Sequence, residues 1–186
     1  MADLVVLTDV KAYLFPGETI TTWDTMLAVI ISAVSEAVRK EVGCDIVHTH
    51  YTAEKVSGTG KSNLDLPHWP ITAVSSIVDQ EGNVYVVGYS NDYVIEYFCL
   101  RSMGGTWAAG SRNFTISFEA GLATLPADLI LLCYEVIARK WKTAKESGWG
   151  ESSKSFPDGS VSHVNADGEF TKAQLRVLEK YRRPRL

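Results

Sequence analysis

Between Leu129 and Ala138 the chain reads Leu-Ile-Leu-Leu-Cys-Tyr-Glu-Val-Ile-Ala, and Glu135 is its only charge. Pro126 suits the first position of a helix. Asp128, two residues on, sits where an acid favours the positive helix end, so a helix is predicted over 126–145. Such a helix is apolar almost all round, and a core on one side alone would leave part of it wet. Two arrangements satisfy it: a subunit interface, or a helix sandwiched inside the monomer.

The rest of the chain has to supply the other layers. Leu27, Ile30, Ile31, Val34 and Val38 recur at helical spacing until Gly43, and Thr21 with Asp24 resembles a capping box, which predicts a helix over 23–42. Thr8 offers a capping hydroxyl and Asp9 an early acid for a short helix over 8–14, stopped before Pro16. From 46 to 119 the period shortens to β-rich runs broken by Gly, Asn, Asp and Pro. Strands are predicted near 47–56, 63–66, 73–78, 84–87, 93–99 and 114–119, with Glu81-Gly82-Asn83 as a hairpin turn and Gly104-Gly105 as a break.

Residues 147–169 are rich in Ser and Gly and poor in large apolar groups, as in an extended arm. Thr171 and Gln174 then form a capping box. Leu175, Val177, Leu178 and Tyr181 make a short amphipathic helix over 171–181, closed by Pro184. The expectation is an α+β fold: a small helical bundle with a β-strand insertion (46–119) between the second and third helices. Residues 1–146 would form its core, and 147–186 a C-terminal arm ending in a short helix.

No apolar run approaches the roughly 18 residues that span a bilayer, because Ser32, Ser35 and Glu36 interrupt the stretch 26–38. The opening Met-Ala-Asp-Leu lacks a basic region leading into an apolar one, which reads as a soluble product made in the cytoplasm. Cys44, Cys99 and Cys133 are odd in number and widely spaced, which argues against a disulfide framework or structural zinc and for buried thiols. The net charge of −4 is uneven. Residues 171–186 hold six basic side chains against Glu179, or +5, and leave −9 for the remainder. An acidic body is poorly suited to gripping duplex DNA across its surface, whereas its basic tail suits an acidic partner.

Catalytic patterns fall short one by one. Gly58-Thr59-Gly60-Lys61-Ser62 looks like the end of a phosphate loop, but Lys55 stands where the first Gly belongs and the continuation Asn63-Leu64-Asp65-Leu66-Pro67 reads as extended, not helical. A β-turn is the expectation. His48 and His50 share a strand face, with His68 nearby in sequence, yet no second pair of ligands supports a metal; His163 lies in the arm. No Gly-x-Ser-x-Gly occurs, and Asn113-Phe114-Thr115 matches the glycosylation pattern only as a coincidence of composition. Trp69, Trp107, Trp141 and Trp149 are not interleaved with basic residues as in a stacking platform for single strands. No catalytic residue, metal or cofactor is expected.

Three stretches together resemble the head-tail connector (adaptor) family of tailed bacteriophages. They are Leu66-Pro67-His68-Trp69-Pro70-Ile71-Thr72 followed by Val74-Ser75-Ser76-Ile77; the run from Arg112 through Gly121 to Leu129; and the closing helix with Tyr181-Arg182-Arg183-Pro184. The order of elements is similar too. The resemblance implies a non-enzymatic virion protein, made in the bacterial cytoplasm and located in the neck. It implies a homo-oligomeric ring of about twelve copies that binds beneath the portal protein, extends the channel for double-stranded DNA and docks the next neck, stopper or tail protein. Leu175, Leu178, Tyr181, Arg182, Arg183 and Arg185 are the expected portal-docking residues, so removing 171–186 should abolish portal binding and leave the fold intact. Ile30, Val34, Leu131, Tyr134, Ile137 and Trp141 are the expected subunit interface. A stopper or tail-completion protein, or a small nucleic-acid-binding module working through the basic tail, are the alternatives.

Overall fold

Helical and β-rich sequence segregate in space as they do along the chain. The computed structural model describes residues 3–146, 153–156, 159–162 and 169–182. Its elements are α1 (Leu7–Leu14), α2 (Asp24–Val42), β1 (Thr49–Gly58), β2 (Asn63–Asp65), β3 (Ile71–Asp79), β4 (Tyr93–Ile95), β5 (Cys99–Ser102), β6 (Gly110–Ala120), α3 (Ala127–Glu146), β7 (Ser153–Phe156), β8 (Gly159–Ser162) and α4 (Lys172–Glu179). The class is α+β, as expected. The chain divides into two compact units, residues 1–43 with 125–186, and residues 44–124.

In the helical unit, α2 buries Leu27, Ile31, Val34, Val38 and Val42, one stripe at steps of three and four. Ser35 lies in the same stripe, and its hydroxyl accepts the amide of Leu4 at 3.0 Å, so the buried oxygen is satisfied. Gly43 ends the helix at φ +91°, its N–H donating to the Arg39 carbonyl, as the sequence predicts. The start differs from expectation. Trp23, not Thr21, takes the N-cap position without a side-chain bond, because the Asp24 carboxylate is drawn 2.7 Å from the Lys11 ammonium of α1. At α1 the Thr8 hydroxyl likewise caps nothing, since the helix begins one residue earlier and Val6 occupies the cap.

The helix α3 buries Leu129, Leu132, Cys133, Val136 and Ile137. Helix α4 opens on the predicted capping box: the Gln174 amide donates to the Thr171 hydroxyl, and the Gln174 side chain accepts from the Thr171 N–H. Leu178 of α4 is fully buried and Phe170 nearly so. The predicted arm contains the antiparallel hairpin β7–β8; residues 147–152, 157–158, 163–168 and 183–186 lie outside the described set.

The β unit holds two three-stranded antiparallel sheets, ordered β1-β6-β3 and β2-β5-β4. From Phe114 onward the central strand β6 alternates, burying Phe114, Ile116, Phe118 and Ala120 and turning Thr115, Ser117 and Glu119 outward. Leu64, Leu66, Ile77, Leu100 and Trp107 complete that core. Trp107 stands edge-on to Phe114 at 5.3 Å and donates its indole N–H to the Leu100 carbonyl, so its polar edge is paired as well. Beyond β6, Gly121 is buried at φ +102°, and a Cβ there would lie 2.4 Å from the Val47 carbonyl oxygen. Only glycine fits that turn.

Two strand expectations need correction. The run 84–87 is not a strand: it touches its neighbours through single bridges, Val78 to Val84 and Val87 to Tyr93. Its valines face outward because Tyr85 alone turns in, against Trp107 and Phe114. The predicted strand 93–99 is two, β4 and β5, joined by a tight reversal in which the Glu96 N–H donates to the Cys99 carbonyl.

Candidate functional site

The residues singled out for chemistry have structural partners where they are described. In the phosphate-loop-like string, Gly58 ends β1 and its N–H donates to the Asn113 side chain at 2.7 Å. The Lys61 and Ser62 carbonyls accept the Trp107 and Ser102 amides, and β2 begins at Asn63. The string joins two strands and opens no helix, so it lacks the convergent amides a phosphate needs. Asn113 is a bracket, bonding Gly58 on one side and the Ala108 carbonyl on the other.

His48 and His50 do share a face, where they flank one carboxylate, Glu119, at 3.3 and 3.6 Å. His68 instead stacks on the Tyr51 ring at 4.0 Å, and burial holds its imidazole below its ordinary pKa. Among the described residues no group of three or more potential ligands is arranged to hold a metal, and His163 lies outside them. All three cysteines are buried free thiols. Burial pushes Cys44 up to about 11 and Cys133 up to about 12, far from a reactive thiolate at neutral pH.

What remains is surface. Of the residues expected at a subunit interface, Val34 and Ile137 are buried inside the helical unit, and Ile30 is half-buried. Leu131 is 49% exposed, one turn before Tyr134, whose ring lies 5.1 Å from that of Tyr13. Trp141 meets Phe15 edge-on at 5.1 Å with the Lys145 ammonium over its ring.

Of the residues expected at the portal contact, Leu178 is fully buried and Leu175 half-buried. Tyr181 donates its hydroxyl to Asp128 at 2.6 Å, and Arg182 binds the side chain and carbonyl of Glu41. Arg183 and Arg185 lie outside the described residues. The helix α4 is thus packed against its own helical unit, and truncation at 171 would strip the cover from buried apolar surface instead of leaving the fold intact.

One feature escaped the sequence reading. Val84, Val86, Val87, Tyr89 and Tyr97, five exposed large apolar side chains, fall within residues 79–97. The same stretch carries Asp79, Glu81, Asp92 and Glu96 and no Lys or Arg. The alternation Val84-Tyr85-Val86 signals a strand, which is why the run was assigned to one; only the turn that commits the Asp79 carboxylate to Asn83, Tyr85 and Glu81 reveals that the chain leaves the sheet.

This geometry has counterparts. A chain from the virion of a native gene transfer agent particle superposes with a TM-score of 0.57 at 16% identity, covering 98% of this chain and 91% of that one. Chains in the neck of the empty particle, computed with C6 symmetry, and of the native particle, computed with C12 symmetry, give 0.56 and 0.52 at 17% identity; they cover 98% and 97% of this chain and 91% and 89% of theirs. The chain shares its fold with a chain of a gene transfer agent neck. No curated protein matches. The SBBP family, a beta-propeller repeat, matches residues 69–96 alone. That segment spans β3 and β4, which belong to different sheets, so it is not one propeller blade.

Proposed function

We propose that the chain is a structural subunit of the neck of a tailed, phage-like particle: a head-tail connector that forms a ring of about twelve copies beneath the portal. It extends the channel for double-stranded DNA and docks the next neck or tail component. The observation that carries this reading is the agreement over nearly the whole chain with neck chains of a particle whose neck was computed with twelve-fold and six-fold symmetry.

The function needs surfaces and no chemistry. A subunit in a closed ring offers its two neighbours different faces, and the exposed Leu131 with Tyr134 and Tyr13 is one candidate. Portal docking falls to the outer side of α4, where Arg176 is exposed, together with Arg183 and Arg185 further along the sequence. The β unit, with eight acids against four bases, suits a lumen that repels DNA and lets it slide.

Native mass spectrometry of the purified protein, alone and mixed with the portal of its own particle, tests the proposal. The expected result is a ring, or uptake of about twelve copies per portal ring. A protein that stays monomeric and ignores the portal overturns it. Arg176→Glu should weaken uptake by the portal at an unchanged melting temperature.

A further inference from the structure

The two units carry opposite and complementary surfaces. In the β unit, residues 79–97 put four acids beside the exposed side chains of Val84, Val86 and Tyr89, the last 83% exposed. Val84 and Val86 flank the inward Tyr85 on extended backbone, so they share one face. Clustered exposed apolar groups of this kind mark a protein contact. In the helical unit, the last two turns of α3 read Arg139-Lys140-Trp141-Lys142-Thr143-Ala144-Lys145-Glu146, four bases against one acid. Arg139 and Lys140 both engage Glu169, which draws the start of α4 and Lys172 to the same end. Lys142, Lys145 and Lys172 stay exposed and make no ion pair among the described residues.

We propose that this protein associates head to tail with a second copy of itself: the Val84–Tyr89 segment of one copy seats on the basic end of α3 and α4 of the next. Valines and the Tyr89 ring supply apolar area, and a tyrosine face accepts a lysine ammonium. Glu81, exposed on the same stretch, opposes the lysines, while Glu96 stays with Arg101 of its own unit at 3.2 Å. The occupant is a second copy because both halves of the match are on one chain, each exposed among the described residues, and the residues differ. A contact between two different patches repeats around a ring, whereas a single self-complementary patch stops at a dimer. This rests on the ring reading above and names the surfaces that close it.

Two variants test it, Val86→Ser/Tyr89→Ser and Lys142→Glu/Lys145→Glu, each first shown to melt with the wild type. Native mass spectrometry should find the wild type in a ladder or ring, weakening as NaCl rises from about 50 to about 500 mM. Either variant alone should associate at least about tenfold more weakly. Mixed, the two should give a one-to-one dimer and nothing larger, since the intact segment of one meets the intact helix end of the other and both remaining faces are spoiled. Variants that assemble like the wild type, or a mixture that gives no dimer or grows past it, overturn this contact and leave the ring reading standing. A wild type that is monomeric at every concentration and salt overturns both.

Discussion

The β unit is closed by buried rings, and the helical unit is closed, at its last helix, by polar contacts around one leucine. Phe114, Phe118 and Trp107 interlock in the first, with the Trp107 indole N–H paired inside the core. In the second, α4 buries Leu178, and polar ties run from Gln174 to Glu135 and from Tyr181 to Asp128, both part-buried, and from Lys180 to Asp128 and Arg182 to Glu41, both exposed. Apolar interlock is insensitive to pH and salt, whereas exposed polar ties respond to both. Under the function proposed above, this division pairs a rigid part with a part whose hold can be exchanged for a partner's.

The largest expected effect breaks the β side. Phe118→Ala removes a fully buried ring that also stacks on Tyr51 and should cost about 3–5 kcal/mol in urea unfolding. A loss under about 1 kcal/mol would mean that the core tolerates a void and that interlock is not what closes the unit. Leu178→Ala comes next, at about 2–4 kcal/mol. Because α4 has few other apolar anchors, the change should show first as faster proteolysis at 169–182, before the global transition moves. Equal protection there would show that the polar ties suffice by themselves.

The same contrast governs what the sequence discloses. Helix positions were legible because caps and period are local: Gly43 and the Thr171–Gln174 box appear in the structure where the chain predicts them. The box at Thr21 failed because a residue distant in sequence, Lys11, competes for Asp24, and no local pattern contains that competitor. In the β unit, β6 was legible from its period of two, but 84–87 carries the same period and stays out of the sheet. What separates them is long-range: β6 has partners on both edges, whereas Asp79 turns the chain away before 84–87 can pair. The surfaces were the least legible. Val34 and Ile137 have the same residue types as Leu131, and only packing decides which of them remains outside.

A smaller change sharpens the helical side. Thr171→Ala removes the hydroxyl that accepts the Gln174 amide, and it also loosens the reciprocal bond from Gln174. The expected cost is about 1 kcal/mol, read as a lower midpoint in thermal unfolding, with Thr171→Ser restoring it. A cap is worth little inside a well-buried helix, so a measurable loss identifies α4 as one that depends on its ends.

Tyr181→Phe should do least to stability at neutral pH and most to its pH dependence. The Tyr181 hydroxyl, then the Lys180 ammonium, favour the ionised Asp128 carboxylate and hold it below its ordinary pKa. A carboxylate depressed in the folded state stabilises fully above its unfolded pKa of about 3.9, and that contribution is lost as pH falls through the folded value. Acid should therefore loosen α4 in the wild type. In Tyr181→Phe the carboxylate titrates closer to its unfolded value, so less stability is lost as pH falls: the variant starts below the wild type at pH 7, by under about 1 kcal/mol for a pair this near the surface, and the two curves converge in acid. Chemical-shift titration of Asp128 in both proteins reads this directly. Identical titration curves would remove Asp128 from the latch and leave Leu178 and the capping box to hold α4, bringing the helical unit closer to the apolar logic of the β unit.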